Sequence, residues 1–418
     1  MKRSCKNIDI TDVNTILPWV TECLLRHTKR YDFRTLICTI GGMDRKSLST
    51  ALENNDKAVF EPVAVNIAEE ASRRIKVREL NLKPVTYRTR IDNSSGKVRL
   101  IGNESAMQQV FDYIAVRSCE EIWNRRLVPQ QIAGIEGRGA IYGIRMIQKW
   151  VDKDNARIEY GKRHHTRYTS TCKYHAKGDV TQCYPSLRTN TFMRLFHKDC
   201  ANETILWLWE ELLNSHAVGD YEGFMIGALC SQWACQYMIS FIYRHAMSLH
   251  SVRRGKKIKW LSHVAIQMDD ILFIGSNRKN LKRAIEECIR YAHDELGLTI
   301  KGTWQICKLS ETPIDIVGYK IYRNGGISIR ARVFLRLRRV ALKIKRKGRM
   351  SIEQARRLCS YKGFVQDNGK HCVSSKGKHS DSRKVCHRYD LYKLIRIAKN
   401  LISYYTTIDC PNNYCYVR

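Results

Sequence analysis

The stretch Val264-Ala-Ile-Gln-Met-Asp-Asp-Ile-Leu-Phe-Ile-Gly275 sets two adjacent carboxylates, Asp269 and Asp270, between two apolar runs that both read as buried β-strand. Like charges side by side repel, and burying them without a counter-charge is costly. Whatever fold forms must offset that cost at this hairpin, and few folds have reason to do so.

The rest of the chain narrows the choice. Its 418 residues, 44% of them hydrophobic, are enough for two or three packed subdomains. A formal net charge of +33 is far beyond what solubility requires and makes a polyanion, nucleic acid first, the expected partner. No run approaches the roughly 18 apolar residues of a membrane span, and the N-terminus MKRSCKNIDITDVN lacks an apolar signal core. A cytoplasmic protein with no membrane partner is expected. The sixteen cysteines are scattered, several of them (Cys183, Cys230, Cys235, Cys288) inside apolar segments, and are read as reduced. His371-Cys372, Cys386-His387, Cys410 and Cys415 do not repeat a CxxC spacing, so thiols are expected there rather than zinc ligands.

Residues 1 to about 80 carry apolar side chains at helical spacing (Ile16, Leu17, Val20, Cys23, Leu24) and predict a helical N-terminal region. Residues 86 to 101 read as a basic hairpin around Asp92 to Gly96, with Lys97 and Arg99 on its second arm. Helices are expected over Ser105 to Trp123 and Gly139 to Val151, and the polar residues 152 to 175 read as a loop before a strand at Ala176 to Val180. A long apolar helix is expected from Gly227 to Met247, and an amphipathic one from Asn280 to Leu296. Between Arg330 and Arg349 lie ten Lys or Arg and no acid, interleaved with Val333, Leu335, Leu337, Val340 and Leu342, the pattern of a basic helix with a packed face. Strands and helices in this order predict an α+β core.

Three acids stand out: Asp179 at the end of one strand, and Asp269 and Asp270 on a hairpin much later. Hard cations such as Mg²⁺ take carboxylate oxygens, and two such ions can activate a 3′-hydroxyl and stabilise a departing pyrophosphate.

At this point the sequence resembles the reverse transcriptases, in order, over most of residues 80 to 365. Asp179-Val-Thr-Gln-Cys-Tyr-Pro-Ser-Leu187 is similar to their motif A, Ile226-Gly-Ala-Leu-Cys-Ser-Gln-Trp233 to motif B, and Gln267-Met-Asp-Asp270 to motif C. Leu296 to Lys301 and Ile316 to Lys320 resemble motifs D and E, while Lys97 to Ile101 and Gly134 to Gly139 resemble fingers motifs. The resemblance implies a right-hand polymerase: a helical region 1–80, fingers 81–175, a palm of antiparallel sheet with helices 176–325, and a basic helical thumb with tail 326–418.

It also implies roles. Asp179, Asp269 and Asp270 would be catalytic and hold two Mg²⁺ ions, with Mn²⁺ as a substitute. Lys97, Arg99, Tyr184, Gln232 and Lys301 would meet the incoming dNTP: Lys97 and Arg99 on its triphosphate, Tyr184 as a steric gate against a 2′-hydroxyl, and Lys301 on the leaving pyrophosphate. Gly227, Ser231, Gln267, Arg336, Arg338, Arg339 and Lys343 would touch template and primer. Gln267 departs from the tyrosine usual in motif C, which puts primer choice and fidelity in question. The implied activity is RNA-directed DNA synthesis, with an RNA template or structured non-coding RNA, a DNA product, and an accessory protein or second copy as further partners. Motif B with Ser-Gln resembles bacterial defence-associated, diversity-generating and retron-type groups, of which antiviral defence is the favoured role. Template-independent or protein-primed synthesis and a non-catalytic nucleic-acid-binding scaffold are the alternatives.

Overall fold

The computed structural model describes residues 3–28, 30–54, 56–91, 96–366, 391–407 and 414–416. Four helices come first, α1 (Val13–His27), α2 (Tyr31–Thr39), α3 (Arg45–Asn54) and α4 (Phe60–Lys76). Asp12 starts α1 by accepting the amide N–H of Thr15 at 3.0 Å, and Ile16, Val20, Cys23 and Leu24 form its buried stripe. That stripe packs on α4 and on α5 (Ala106–Arg117). The expected hairpin is present as β1 (Thr86–Ile91) and β2 (Val98–Asn103), paired from Thr86↔Asn103 to Ile91↔Val98. Asp92 to Ser95 of its turn lie outside the described residues.

The helix expected over residues 105–123 is two. Ser105 caps α5, which ends at Arg117, and α6 (Glu120–Arg126) follows, with Trp123 Nε1 donating back to Val116 O at 2.7 Å. The helix expected to end at Val151 is longer, since α7 runs Ala140–Arg163 and absorbs half of the polar stretch read as loop. The reason is Asp154. Its buried carboxylate accepts hydrogen bonds from Ser170 Oγ (2.7 Å) and Thr171 N–H (2.6 Å) and pairs with Arg323 at 2.7 Å, so a polar residue is used as an interior tie.

The chain then forms β3 (Tyr174–Asp179), α8 (Cys183–Ser186), α9 (Thr189–Phe196), α10 (Glu203–Asn214) and α11 (Leu229–Ser248). A ribbon not foreseen in the sequence, β4 (His250–Arg253) and β5 (Lys256–Lys259), precedes β6 (His263–Gln267) and β7 (Asp270–Gly275). Next comes α12 (Arg278–Leu296), capped by Asn277 and closed by Gly297 in the left-handed region. After it run β8 (Cys307–Lys308), β9 (Ile314–Ile316), β10 (Tyr319–Ile321) and β11 (Ile327–Ile329). The C-terminal part holds α13 (Ala331–Lys347), β12 (Arg349–Ser351), α14 (Ile352–Gln366), α15 (Leu391–Thr407) and β13 (Tyr414–Tyr416). The fold is mixed α and β.

The central sheet has the order β6-β7-β3-β8, all antiparallel. Both its faces are buried, so β7 reads as an unbroken apolar run after its first residue. Ile271 and Phe273 join the large core built with α5, α10, α11 and the N-terminal helices; Leu272 and Ile274 join a second core with α7 and β9 to β11. A third cluster, with Leu337, Ala341, Ile344, Leu358, Leu394 and Ala398, holds α13, α14 and α15 together. The N-terminal helices thus share one core with the sheet, while the basic helix has a core of its own.

Among the described residues no helix is long and apolar enough to cross a membrane. The described cysteines are free thiols. His371, Cys372, Cys386, His387 and Cys410 lie outside the described residues, and Cys415 is placed as the strand partner of Met350.

One buried charge cluster braces the large core. The side chain of Asp199 is fully buried and accepts from Arg126 Nε (2.6 Å), Arg125 Nη2 (3.0 Å) and Tyr237 OH (2.6 Å). Burial alone would raise its pKa, but Arg126, Tyr237 and Arg125 outweigh it and hold the carboxyl below the usual range. Asp199→Ala removes the buried carboxylate that two guanidinium groups share and is expected to cost ~3–5 kcal/mol in urea denaturation. Because the folded carboxyl titrates below the unfolded one, this contribution is present above an unfolded value of about 4 and is lost as pH falls through the folded value. The gap between wild type and variant therefore closes in strong acid.

Candidate active site

The β3–β7 register sets Asp179 directly across from Asp270, and the Val180 N–H donates to Asp269 O at 2.9 Å. β6 pairs with β7 as far as Gln267↔Asp270, so Met268 and Asp269 are the two-residue tip of the hairpin. Three acids from distant parts of the sequence thus meet at one end of the sheet. Cross-strand neighbours in such a ladder lie ~4.5–5.5 Å apart, close enough for like charges to oppose each other.

The tip is held from behind. Met268 has φ +53°, a left-handed conformation that a two-residue turn usually gives to glycine or asparagine. Gln236 of α11 donates from Nε2 to Met268 Sδ (3.1 Å) and to Ala133 O (2.6 Å), and Gln131 donates to Gln236 Oε1 at 2.9 Å. The segment carrying Gln131 is itself laced to β6, through Ile132 N–H to Ile266 O (2.8 Å) and Ile266 N–H to Gln130 O (2.9 Å). Gln232 donates to Gly134 O at 2.8 Å; with φ +74° and a position where a Cβ would lie 2.5 Å from Gln232 Nε2, Gly134 admits no side chain. Among the described residues, Gln267 Oε1 is a buried acceptor with no hydrogen-bond partner beside these acids.

Two lysines offset the charge. Lys177 Nζ lies 2.7 Å from Asp270 Oδ2, and Lys301 Nζ donates to Asp179 Oδ2, while the Lys301 N–H also donates to Asp179 O at 2.9 Å. Asp269 stands exposed at the tip, and among the described residues no lysine or arginine forms an ion pair with its carboxylate. Its pKa is raised, first by the protein mass that displaces water from one side of it, then by the carboxylates of Asp270 and Asp179, with Arg99 pulling the other way.

Arg99 reaches this field from the β1–β2 hairpin, where Arg90 faces it across the ladder; Lys97 is exposed just before that strand. The hairpin is docked at its base, since the Gly102 N–H donates to Ile226 O at 3.1 Å and a Cβ on Gly227 (φ +127°) would lie 3.0 Å from Gly102 O. Tyr184 is half-buried in α8 beside the acids. Burial raises its phenol most, and the nearby Cys235, Cys183 and Asp269 add to that. Cys183 and Cys235 themselves lie 3.6 Å apart, Sγ to Sγ.

Asp179, Asp269, Asp270, Lys301, Arg99, Tyr184, Gln232, Gly227 and Gln267 are therefore tied to the hairpin tip, either directly or through the β1–β2 hairpin, α8 and α11. Ser231 is not available to a template: it is fully buried in α11, where the helix turns it inward, and lies 3.3 Å from His216 Nδ1. On α13, Arg338, Arg339 and Lys343 are exposed and Arg336 is half-exposed, away from the buried stripe of Leu337, Ala341 and Ile344.

Sequence reasoning passed over Lys177, although its position two residues before Asp179 on a strand puts both on one face. It also passed over Gln131, Gln236 and Met268. Nothing local marks them, because their roles come from chain segments 105 residues apart for Gln131 and Gln236 and 32 apart for Gln236 and Met268. Nor is there a local sign of Asp112, fully buried, which accepts the Cys230 N–H at 2.9 Å near the start of α11. Burial pushes Asp112 and its neighbour Glu104 upward.

The donor set suits a hard cation, since it is carboxylate oxygen on which ammonium groups already sit. Among the described residues no three His, Cys, Asp or Glu side chains are gathered as a preformed metal cluster. A cation bound by Asp179 or Asp270 would compete with Lys177 and Lys301 for the same oxygens.

No family model matches the chain, and no curated protein matches it. Among solved structures it is similar to apo telomerase from Candida tropicalis truncated from its C-terminal domain, with a TM-score of 0.39 and 14% identity over 70% of this chain and 72% of that one. It is also similar to telomerase from Candida albicans in complex with a fragment of telomeric RNA, with a TM-score of 0.37 and 11% identity over 77% of this chain and 61% of that one.

Because Asp269 titrates higher in the folded chain than in the unfolded one, its ionisation weakens folding as pH rises through the folded value. Asp269→Asn is expected to raise the melting temperature at pH 7 by about 1–3 °C. The advantage should shrink as pH falls through the folded value and vanish below about 4, the unfolded value, and thermal melts at pH 7 and about pH 3 check it.

Proposed function

We propose that the chain is an RNA-directed DNA polymerase that extends a 3′-hydroxyl with dNTPs. The observation that carries this reading is the register that gathers Asp179, Asp269 and Asp270 at one hairpin tip, in the field of Arg99 and beside Tyr184. The pKa of Asp269 is raised first by burial and then by Asp270 and Asp179; the carboxylate part of that cost is what a charge-neutralising substrate complex would remove.

In this reading Asp179, Asp269 and Asp270 hold Mg²⁺, which supplies Lewis acidity toward the 3′-hydroxyl and the departing pyrophosphate. The chain's own residues do the positioning. Lys177 and Lys301 would release their carboxylates to a bound cation, and Lys301 Nζ would then be placed to donate a proton to the leaving group. Arg99 and Lys97 neutralise the triphosphate with forked guanidinium and ammonium donors. The Tyr184 ring lies under the sugar and rejects a 2′-hydroxyl. The exposed cations of α13 clamp the template-primer backbone, so binding falls steeply with salt. Fingers, palm and thumb then correspond to the β1–β2 hairpin with α7, the central sheet with α11 and α12, and the α13 to α15 bundle. The Ser-Gln motif B resembles that of bacterial defence-associated, diversity-generating and retron-type groups, and among these the role we favour is antiviral defence with a structured non-coding RNA.

A second reading, a nucleic-acid-binding scaffold, draws support from the ammonium groups seated on Asp179 and Asp270 and from Gln267 in motif C. One experiment separates the two. The purified protein with its co-purifying RNA is given Mg²⁺ and each dNTP or rNTP, beside Asp269→Ala/Asp270→Ala. Synthesis reduced by roughly 10²-fold or more in the variant supports the polymerase; no synthesis by either protein, with RNA bound, leaves the scaffold. Within the polymerase reading, Tyr184→Ala is expected to lower discrimination against rNTPs by roughly tenfold or more, read as the ratio of kcat/KM values for dNTP and rNTP.

A further inference from the structure

The β4–β5 ribbon belongs to none of the machinery above. It projects between α11 and β6, and its register pairs His250↔Lys259, Ser251↔Ile258, Val252↔Lys257 and Arg253↔Lys256 around the turn Arg254-Gly255. Arg253, Arg254, Lys256, Lys257 and Lys259 are all exposed, and so are Val252 (66%) and Ile258 (42%). Among the described residues no carboxylate pairs with any of the five cations, and the sequence holds no acid between Glu222 and Asp269.

Its placement separates it from the acids. Trp260 closes the ribbon's base, with its N–H donating to Leu249 O at 3.1 Å, and a Cβ on Gly275 would lie 3.2 Å from Trp260 O. Gly275 is the last residue of β7 and Asp270 the first, so the base sits a strand length, ~17 Å, from the acidic tip. The Arg283 guanidinium lies over the Trp260 ring at 4.3 Å and fixes the base to α12. Beside Arg283 on that helix, Arg278, Lys279 and Lys282 line an open cleft of about 670 Å³ with Trp304, which continues the basic surface; Lys282 faces Glu286 at 3.7 Å.

Side chains alternate across a strand, so the register puts Lys257, Lys259 and His250 with Val252 on one face, and Arg253 and Lys256 with Ile258 on the other. Positive charge on both faces and at the turn suits a slot with a phosphate wall on each side. A flat anionic lipid surface would use one face and leave the other's charge unmatched. Two strands of four residues make a ribbon ~13 Å long. The B-form major groove is ~12 Å wide and admits such a ribbon, whereas the A-form major groove is too narrow. We infer that the β4–β5 ribbon enters the major groove of duplex DNA and grips its phosphates, at a site apart from the acidic cleft.

The test is fluorescence anisotropy of a short DNA duplex, with no metal or nucleotide, across a range of salt. The wild type is compared with Arg253→Ala/Arg254→Ala/Lys256→Ala/Lys257→Ala, whose folding is checked by thermal melting. The variant is expected to bind the DNA duplex roughly tenfold or more weakly, with a log–log salt slope shallower by about 3–4. An unchanged slope, with the thumb helix carrying all the binding, overturns the inference. An equal loss for an RNA duplex of the same sequence overturns the groove argument in favour of RNA, and a loss confined to anionic vesicles assigns the ribbon to membranes. Asp269→Ala/Asp270→Ala should bind the DNA duplex at least as well as wild type, so failure of the polymerase reading and failure of this inference are told apart.

Discussion

Everything else in this molecule is arranged around the repulsion of three carboxylates at one end of a sheet. Asp179 and Asp270 face each other across the ladder and Asp269 follows at the turn, so the pairing that satisfies the backbone also concentrates negative charge. Two ammonium groups, Lys177 and Lys301, offset part of it. Gln131 and Gln236 hold the turn in a left-handed conformation it would otherwise avoid. Neutral amides suit that task. A charged brace at the same place would either add to the repulsion or quench the negative field of the tip.

The neutral bracing also explains how motif-like residues divide their labour. Gln232 ties α11 to Gly134 at the rim, whereas Ser231, one residue earlier, turns inward to His216. Adjacent positions on a helix are about 100° apart, so a short motif placed on a helix cannot present all its members to one cleft. A reading by position treats Ser231 and Gln232 alike; helix geometry separates them.

Much of the architecture was legible because it is written in local patterns. The apolar runs around Asp269-Asp270, the 3–4 spacing in α1 and α12, and the acid-free stretch of α13 each specify an element without help from the rest of the chain. What escaped notice depends on distant partners. Residues 152 to 163 look like loop because they are polar, yet Asp154 is an interior tie whose partners include Ser170 and Arg323. The β4–β5 ribbon escaped because its strands are short, charged and exposed, without the buried alternation that usually marks a strand. The meeting of Asp179 with Asp270 was inferred from resemblance; no local pattern fixes the register of strands so far apart in sequence.

Strand β7 has successive residues in different cores, Ile271 and Phe273 in one, Leu272 and Ile274 in the other. In mechanical terms it is a beam clamped on both faces, with the acids at one end. Such a beam resists bending in either direction, so the acids keep their mutual spacing and the lysines that pair with them meet a fixed target. The same clamping makes the strand intolerant of change in volume: a methyl group added or removed anywhere along it is felt by two packed interiors at once.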